Sequence, residues 1–467
     1  NKSLGPVIKY NPPNVPRPQY KEVAIQVGPN YSFDQQAYPN LRAIETGPNG
    51  LQIGIQTTLV SNTVLADGVT TSATQSPPSG FSTNTQGGNN PSIIEPNIDP
   101  VTLTVPTGSV SCAISSNGLY VAYGAPTASG STGLVRIFRK STPNSVWVQL
   151  GPDITSVNAG FAALMMVEFG QSIAIDYDQN NQRVQLVAGA PRYPGDYSQG
   201  AWSSLFYNET TNTWDLTGSM PIFGAVGDKM GTSIALSTDT SVVVVGGTGM
   251  NIFTYRGGSI GGYPQQQTLA NVVTGAVMKS FSASANLNGD VLLVGTIIDD
   301  GFSFNGAGVY TYNHTTNLYD PGVALLSDQL MDDGGRSVSI NDTGDIAVVG
   351  APEYNTGVGR ILIYIKVDNV WSTPIIFDGP GEVAFGYGVA ISNSGTVIYA
   401  SGPAGLQGKI YPCRVVDGVW TVQPEIVTPI VPPTSEIPLA TDQSGSVLCA
   451  LIIGTTTGLI YINEGVF

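Results

Sequence analysis

The chain has 467 residues, of which only 11% are charged, with 57 Gly, 32 Pro, three Cys and one His. A single histidine leaves almost no material for a His-based zinc site or a Ser-His-Asp triad, and so little charge implies a surface solvated by Ser, Thr, Asn and Gln, as in secreted, cell-surface and virion proteins. The net charge of −15 is uneven, with five Lys/Arg against four Asp/Glu over 1–94 and 13 against 29 beyond; an acidic body of that kind repels nucleic acid and anionic lipid headgroups.

At the N-terminus, five prolines between Pro6 and Pro18 predict an extended stretch. Two β-like pieces follow, Val23–Val27 and Leu51–Val60, then a Ser/Thr/Asn/Gly/Pro run over 61–96 that reads as a linker. Residues 1–98 are therefore expected to form an extended arm that orders by packing on the rest of the chain, on a sister subunit or on another protein. Next comes the alternating run Val101-Thr102-Leu103-Thr104-Val105, a predicted strand. Residues 101–135 carry no charge, yet Gly, Pro and Ser break them up, so no transmembrane segment is expected.

From there a repeat runs to the C-terminus. Gly-Ala-Pro ends a run of β-formers at 124–126, 189–191 and 350–352, with degenerate copies at Gly246, Gly295, Ser401 and Gly454. Seven copies at roughly 50 residues match the period of a propeller. Each copy opens with an alternating strand such as Ser337–Ile340, then a polar turn such as Ser116-Asn117-Gly118 or Asp342-Thr343-Gly344. A more apolar strand such as Ile346–Val349 runs into the Gly-Ala-Pro corner, and a third strand of aromatics and aliphatics follows, as in Arg360–Tyr364. A last piece carries Trp147, Trp214, Trp371 or Trp420. The predicted fold is all-β, a seven-bladed β-propeller of four-stranded antiparallel blades over 99–467. The seventh copy stops after its third strand, Leu459–Ile462, so 99–107 is expected to supply the strand that closes the last blade and removes an open edge.

Phe169-Gly170 with Gly189-Ala190-Pro191, and Phe385-Gly386 with Ser401-Gly402-Pro403, resemble the FG-GAP repeat of the integrin α-subunit head and related extracellular proteins. The likeness covers about 100–467. It implies a propeller used for adhesion or protein binding, and a calcium loop in the first hairpin of several blades. Most copies here keep only one or two polar residues in that turn. The best calcium candidate is Asp176, Asp178 and Asn180, at positions 1, 3 and 5 of the longest such loop, although the ninth position is Val184 and not an acid.

Other candidates are sparse. His314 falls at a polar hairpin tip, a poor place for a general base. Asp228, Asp332, Asp333 and Glu382 precede first strands and border the expected channel mouth, where Arg336 also reaches. Loop aromatics Tyr193, Tyr197, Trp202, Tyr263, Tyr354 and Tyr387 suit either sugar stacking or blade packing. Cys112 and Cys449 fall in neighbouring blades of a closed ring, so one disulfide is conceivable, against three buried thiols. Sequons occur at Asn1, Asn30, Asn208, Asn313 and Asn341.

The function expected is a non-enzymatic attachment or protein-binding module of a virion or extracellular surface assembly, whose arm 1–98 contacts a protein partner or sister subunits. A glycan or receptor is a further expected partner of the propeller face, and nucleic acid is not. The alternative is a lectin, glycosidase or lyase that uses the channel mouth.

Overall fold

A computed structural model describes 41–47, 50–55 and, from 100 on, all but 107, 143–144, 163–165, 195–198, 248–250, 259–261, 271, 273–277, 299–303, 331–332, 381–383, 405–406, 417, 429–436, 454–457 and 465–467. The chain divides into two compact units, Asn1–Asn97 and Ile98–Phe467. In the first, Leu41–Gly47 pairs antiparallel with Gly50–Ile55 across a bulge between Ala43 and Glu45. The earlier half of this hairpin has no alternating pattern and was not predicted. Val23–Val27 and the remainder of the predicted arm lie outside the described residues.

The second unit is a seven-bladed β-propeller of four-stranded antiparallel sheets. Blade 1 comprises Ser111–Ile114, Tyr120–Ala125 and Leu134–Arg139, with an outer strand in two pieces, Val148–Gln149 and Ile154–Thr155. Blades 2 to 6 begin at Ile173, Ser233, Met278, Ser337 and Val389. Blade 7 takes Leu439–Thr441, Val447–Ile453 and Gly458–Glu464 from the C-terminal end of the chain. Its fourth strand is Val101–Val105, in register Val101↔Ile462 to Val105↔Gly458. Val101, Leu103 and Val105 face the core while Thr102 and Thr104 are exposed.

Each sheet is sandwiched between two others, so its second strand needs apolar residues on both faces. In blade 3 this strand is Val242-Val243-Val244-Val245, every residue buried. Val242 and Val244 join the cluster shared with blade 4, and Val243 and Val245 the cluster shared with blade 2. Every neighbouring pair of blades has such a cluster, including blades 7 and 1, where the ring closes.

The Gly-Ala-Pro motif does more than turn the backbone, as the sequence suggested. Gly124 and Ala125 are still strand, and the carbonyl oxygen of Gly170, from blade 2, sits where a Gly124 Cβ would project, 2.0 Å from it. Gly170 has φ +89° and donates its N–H to the Gly189 carbonyl of its own blade at 2.9 Å. The Gly170 carbonyl also accepts Ser111 Oγ–H at 2.9 Å, and Ser111 stands opposite Gly124 in the sheet. Thus the Phe-Gly of one blade seats on the Gly-Ala-Pro glycine of the blade before it. The joint recurs at Gly189 with Gly231 and Ser172, and at Gly295 with Gly335 and Ser282. Blade 6 exchanges the pair: Gly388 directly precedes the first strand, opposite Ser401 of the second, whose Oγ donates to Ile437 O at 2.8 Å.

This exchange yields a test. Gly124→Ser alone should destabilise the propeller by about 3 kcal/mol, because the colliding atom is backbone. Combined with Ser111→Gly, which recreates the blade 6 arrangement, it should recover at least half of that loss in a urea-melt double-mutant cycle. Additive effects would show that the joint is not the unit.

Candidate functional site

The seven first strands surround an axial cavity of about 220 Å³. At the first-hairpin end, six blades use the same turn device. A Ser, Asn or Asp (Ser115, Ser237, Asn286, Asn341, Ser392, Asp442) accepts the N–H of the residue five positions on, which fixes the short turn without any ligand. The next residue in each case, Ser116, Thr238, Leu287, Asp342, Asn393 or Gln443, belongs to an inter-blade belt. Asp239 N–H donates to Leu287 O, Leu287 N–H to Asp342 O, Asp342 N–H to Asn393 O, Ser394 N–H to Gln443 O, and Gln443 N–H to Ser116 O, at 2.8–3.3 Å. Side chains add a crossing: Thr238 of blade 3 donates to Asp342 of blade 5 at 2.8 Å and accepts from Asn393 of blade 6 at 3.2 Å.

Between blades 1 and 2 the belt changes chemistry, with the Asp176 carboxylate taking the place of a carbonyl. Its Oδ1 accepts Ser116 N–H at 3.1 Å, Ser116 Oγ–H at 2.7 Å and Tyr177 N–H at 2.7 Å. Asp176 is 7% exposed. Burial pushes its carboxyl up to about 7, against the opposing pull of those hydrogen bonds and with the nearby charge of Asp342 adding to the rise. Burial also raises Asp342, opposed by its bonds from Thr238 and Asn393.

The calcium candidates point three ways. Asp176 turns toward blade 1. Asp178 caps its own hairpin, taking Asn180 and Asn181 N–H on Oδ1 at 3.0 Å and Asn181 Nδ2–H on Oδ2 at 2.6 Å, while Asn180 is exposed. Among the described residues no three His, Cys, Asp or Glu side chains form a metal-sized group.

The remaining candidates are dispersed. Asp228 is buried and pins its own loop through Ala225 N–H at 2.8 Å and Asn251 Nδ2–H at 3.0 Å. Asp333 stands in the left-handed region, its carbonyl accepting Arg336 N–H. Asp332, Glu382 and Tyr197 lie outside the described residues. Arg336 does not line the axial cavity; its guanidinium bonds the Tyr387 hydroxyl of blade 6 and lies 5.1 Å from that ring's centroid. Trp202 is buried between blades 2 and 3 with Tyr255 and Tyr263 packed on its ring, so packing and not sugar stacking explains Trp202 and Tyr263. Tyr193 and Tyr354 are half-buried, against Phe223 and under the Arg360 guanidinium. His314 is 71% exposed and bonds Asp290 Oδ2 at 2.9 Å. Asn341 is buried in its turn, out of reach of a glycosyltransferase in the folded chain.

Sequence reading took residues such as Ser116 and Asp342 as turn residues and missed the inter-blade belt they form with Thr238, Leu287, Asn393 and Gln443. The signal was the residue directly after each turn-capping side chain, visible once the copies are aligned on the cap. It also missed apolar patches on the outer rim: Val146 and Val148 of blade 1, Val367 and Val370 of blade 5, and Val415, Val416 and Val419 of blade 6 are exposed, Val146 by 79%, Val370 by 68% and Val419 by 65%.

The strands, registers and inter-blade clusters together define a seven-bladed β-propeller module. Among solved structures it is similar to the β-propeller domain of Cps50 (Swd1) from Myceliophteria thermophila, with a TM-score of 0.50 and 12% identity over 77% of this chain and 98% of that one. At that identity the likeness shows the fold alone. No protein-family model and no curated protein matches the chain. Among the described residues no helix is long and apolar enough to cross a membrane.

Proposed function

We propose that this chain is a non-enzymatic, FG-GAP-type propeller that serves attachment or protein binding in a virion or extracellular surface assembly, tethered by residues 1–98. The observation that carries the reading is the valine rim of blades 5 and 6. Isolated apolar side chains on a surface need no explanation, but several on one hairpin, as at Val415, Val416 and Val419, mark a contact surface. The rim belongs to a chain with few charges, which suits a partner surface of similar polarity.

A second reading, a carbohydrate-binding or carbohydrate-active propeller, is favoured by Asp176, a carboxyl that titrates near neutrality beside the axis. The two separate cleanly. On a glycan array with a hydrolysis readout, the intact chain is expected to retain and cleave nothing. In its native assembly, cross-linking should join blades 5 and 6 to a second protein, and Val370→Lys with Val419→Lys should remove those cross-links without moving the melting temperature. Glycan turnover that disappears in Asp176→Asn would replace the first reading with the second.

A further inference from the structure

We propose that Cys112 and Cys449 form an oxidation site in which a small hydroperoxide converts two thiols into a disulfide that staples blade 1 to blade 7. Both residues belong to the apolar cluster where the ring closes, together with Val105 of the closing strand. Cys112 lies on the first strand of blade 1, opposite Tyr123, and Cys449 on the second strand of blade 7, opposite Ile462. Cys112 stands beside Cys449, and that neighbour together with burial holds the Cys449 thiol well above its ordinary range; Cys112 Sγ–H meets Pro438 O at 3.4 Å. Both are reduced in this structure.

The two positions differ in access. Cys112 is half-buried and lines the axial cavity, whose 220 Å³ admits a molecule the size of hydrogen peroxide, whereas Cys449 is fully buried. Cys112 therefore meets the oxidant and Cys449 resolves the product. The Cys112 thiolate attacks one peroxide oxygen; an S–O bond forms as the O–O bond breaks, and the departing hydroxide takes a proton to become water. Cys449 then gives up its proton and attacks the sulfenic sulfur. The S–S bond forms as the S–O bond breaks, and the second hydroxide leaves with that proton as water. Two thiols and one peroxide become one disulfide and two waters, a two-electron oxidation of sulfur at the expense of peroxide.

The third thiol is a built-in control. Cys413 is fully buried in the separate cluster between blades 5 and 6. It does not line the axial cavity and no second cysteine shares its cluster, so it has neither the access nor the resolving partner that Cys112 has.

The test uses the reduced full chain, excess hydrogen peroxide and maleimide counting of thiols in denaturant. Free thiols are expected to fall from three to one, with a Cys112–Cys449 cross-linked peptide in the non-reduced digest and a higher melting temperature that dithiothreitol reverses. Cys413→Ala should fall from two to none with the same cross-link, whereas Cys112→Ala and Cys449→Ala should give no cross-link. The proposal is overturned if three thiols survive peroxide, if Cys112 proceeds to sulfinic or sulfonic acid with Cys449 still free, or if the cross-link involves Cys413. Should Cys449→Ala not fold, the wild-type and Cys413→Ala digests decide the matter.

Discussion

Deleting residues 95–107 is expected to lower the melting temperature by about 6 °C, the size of shift that follows from losing roughly 5 kcal/mol in a unit of this length. The loss has two sources. Val101, Leu103 and Val105 leave the cluster between blades 7 and 1, and partly to fully buried aliphatic side chains contribute about 1.5–3 kcal/mol each. In addition, Gly458–Glu464, which holds five register pairs with the closing strand, becomes an open edge, so the deleted protein should also aggregate. Leu103→Asp should reproduce most of the effect by placing a charge in that cluster, while Thr102→Ala and Thr104→Ala, on the exposed face, should leave the melt almost unmoved. A deletion variant that melts with the intact chain would mean that the ring is held without its clasp.

The blades were legible in the sequence because the physics of a blade is local and repeated. Alternation marks a first strand, an all-apolar run such as Val242–Val245 marks a strand covered on both faces, and a Gly in the turn marks the hairpin. What escaped is what one blade does to the next. Gly124 read as a corner because the carbonyl that occupies the place of its missing side chain belongs to Gly170, 46 positions away in the chain. The serine and glycine of blade 6 looked like decay of the motif, but Ser401 and Gly388 keep both members of the pair with their strands exchanged. The carboxylates were judged by their neighbours in sequence, so Asp176 and Asp178 read as one loop. Their real partners are Ser116 of the adjacent blade and the N–H groups of Asn180 and Asn181. The hairpin at Leu41–Gly47 was missed for a different reason: charged and small residues there give no period to read.

Asp176→Asn is expected to stabilise the propeller at pH 8 by about 3–4 kcal/mol and to leave it nearly unchanged at pH 4. The sign follows from the direction of the shift. Asp176 titrates at about 7 when folded against an ordinary 3.8, so the folded state holds a proton that the unfolded chain gives up. Stability from this group is complete below about pH 4, declines as the pH rises toward 7, and is gone above it. The distance between 3.8 and about 7 corresponds to roughly 4 kcal/mol. Asparagine keeps the Oδ1 acceptor for Ser116 N–H, Ser116 Oγ–H and Tyr177 N–H, and so preserves the belt while removing the titration. Urea melts at pH 4, 6 and 8 read the difference directly. If the variant shows the same decline with pH as the parent, the axial carboxylate is not its source, and Asp342, which burial shifts in the same direction, is the next substitution to make. If the decline disappears, an acid that closes the belt between blades 1 and 2 in its neutral form is a joint in the ring first. Any role as a proton donor to a ligand in the cavity would then draw on the same proton that holds those two blades together.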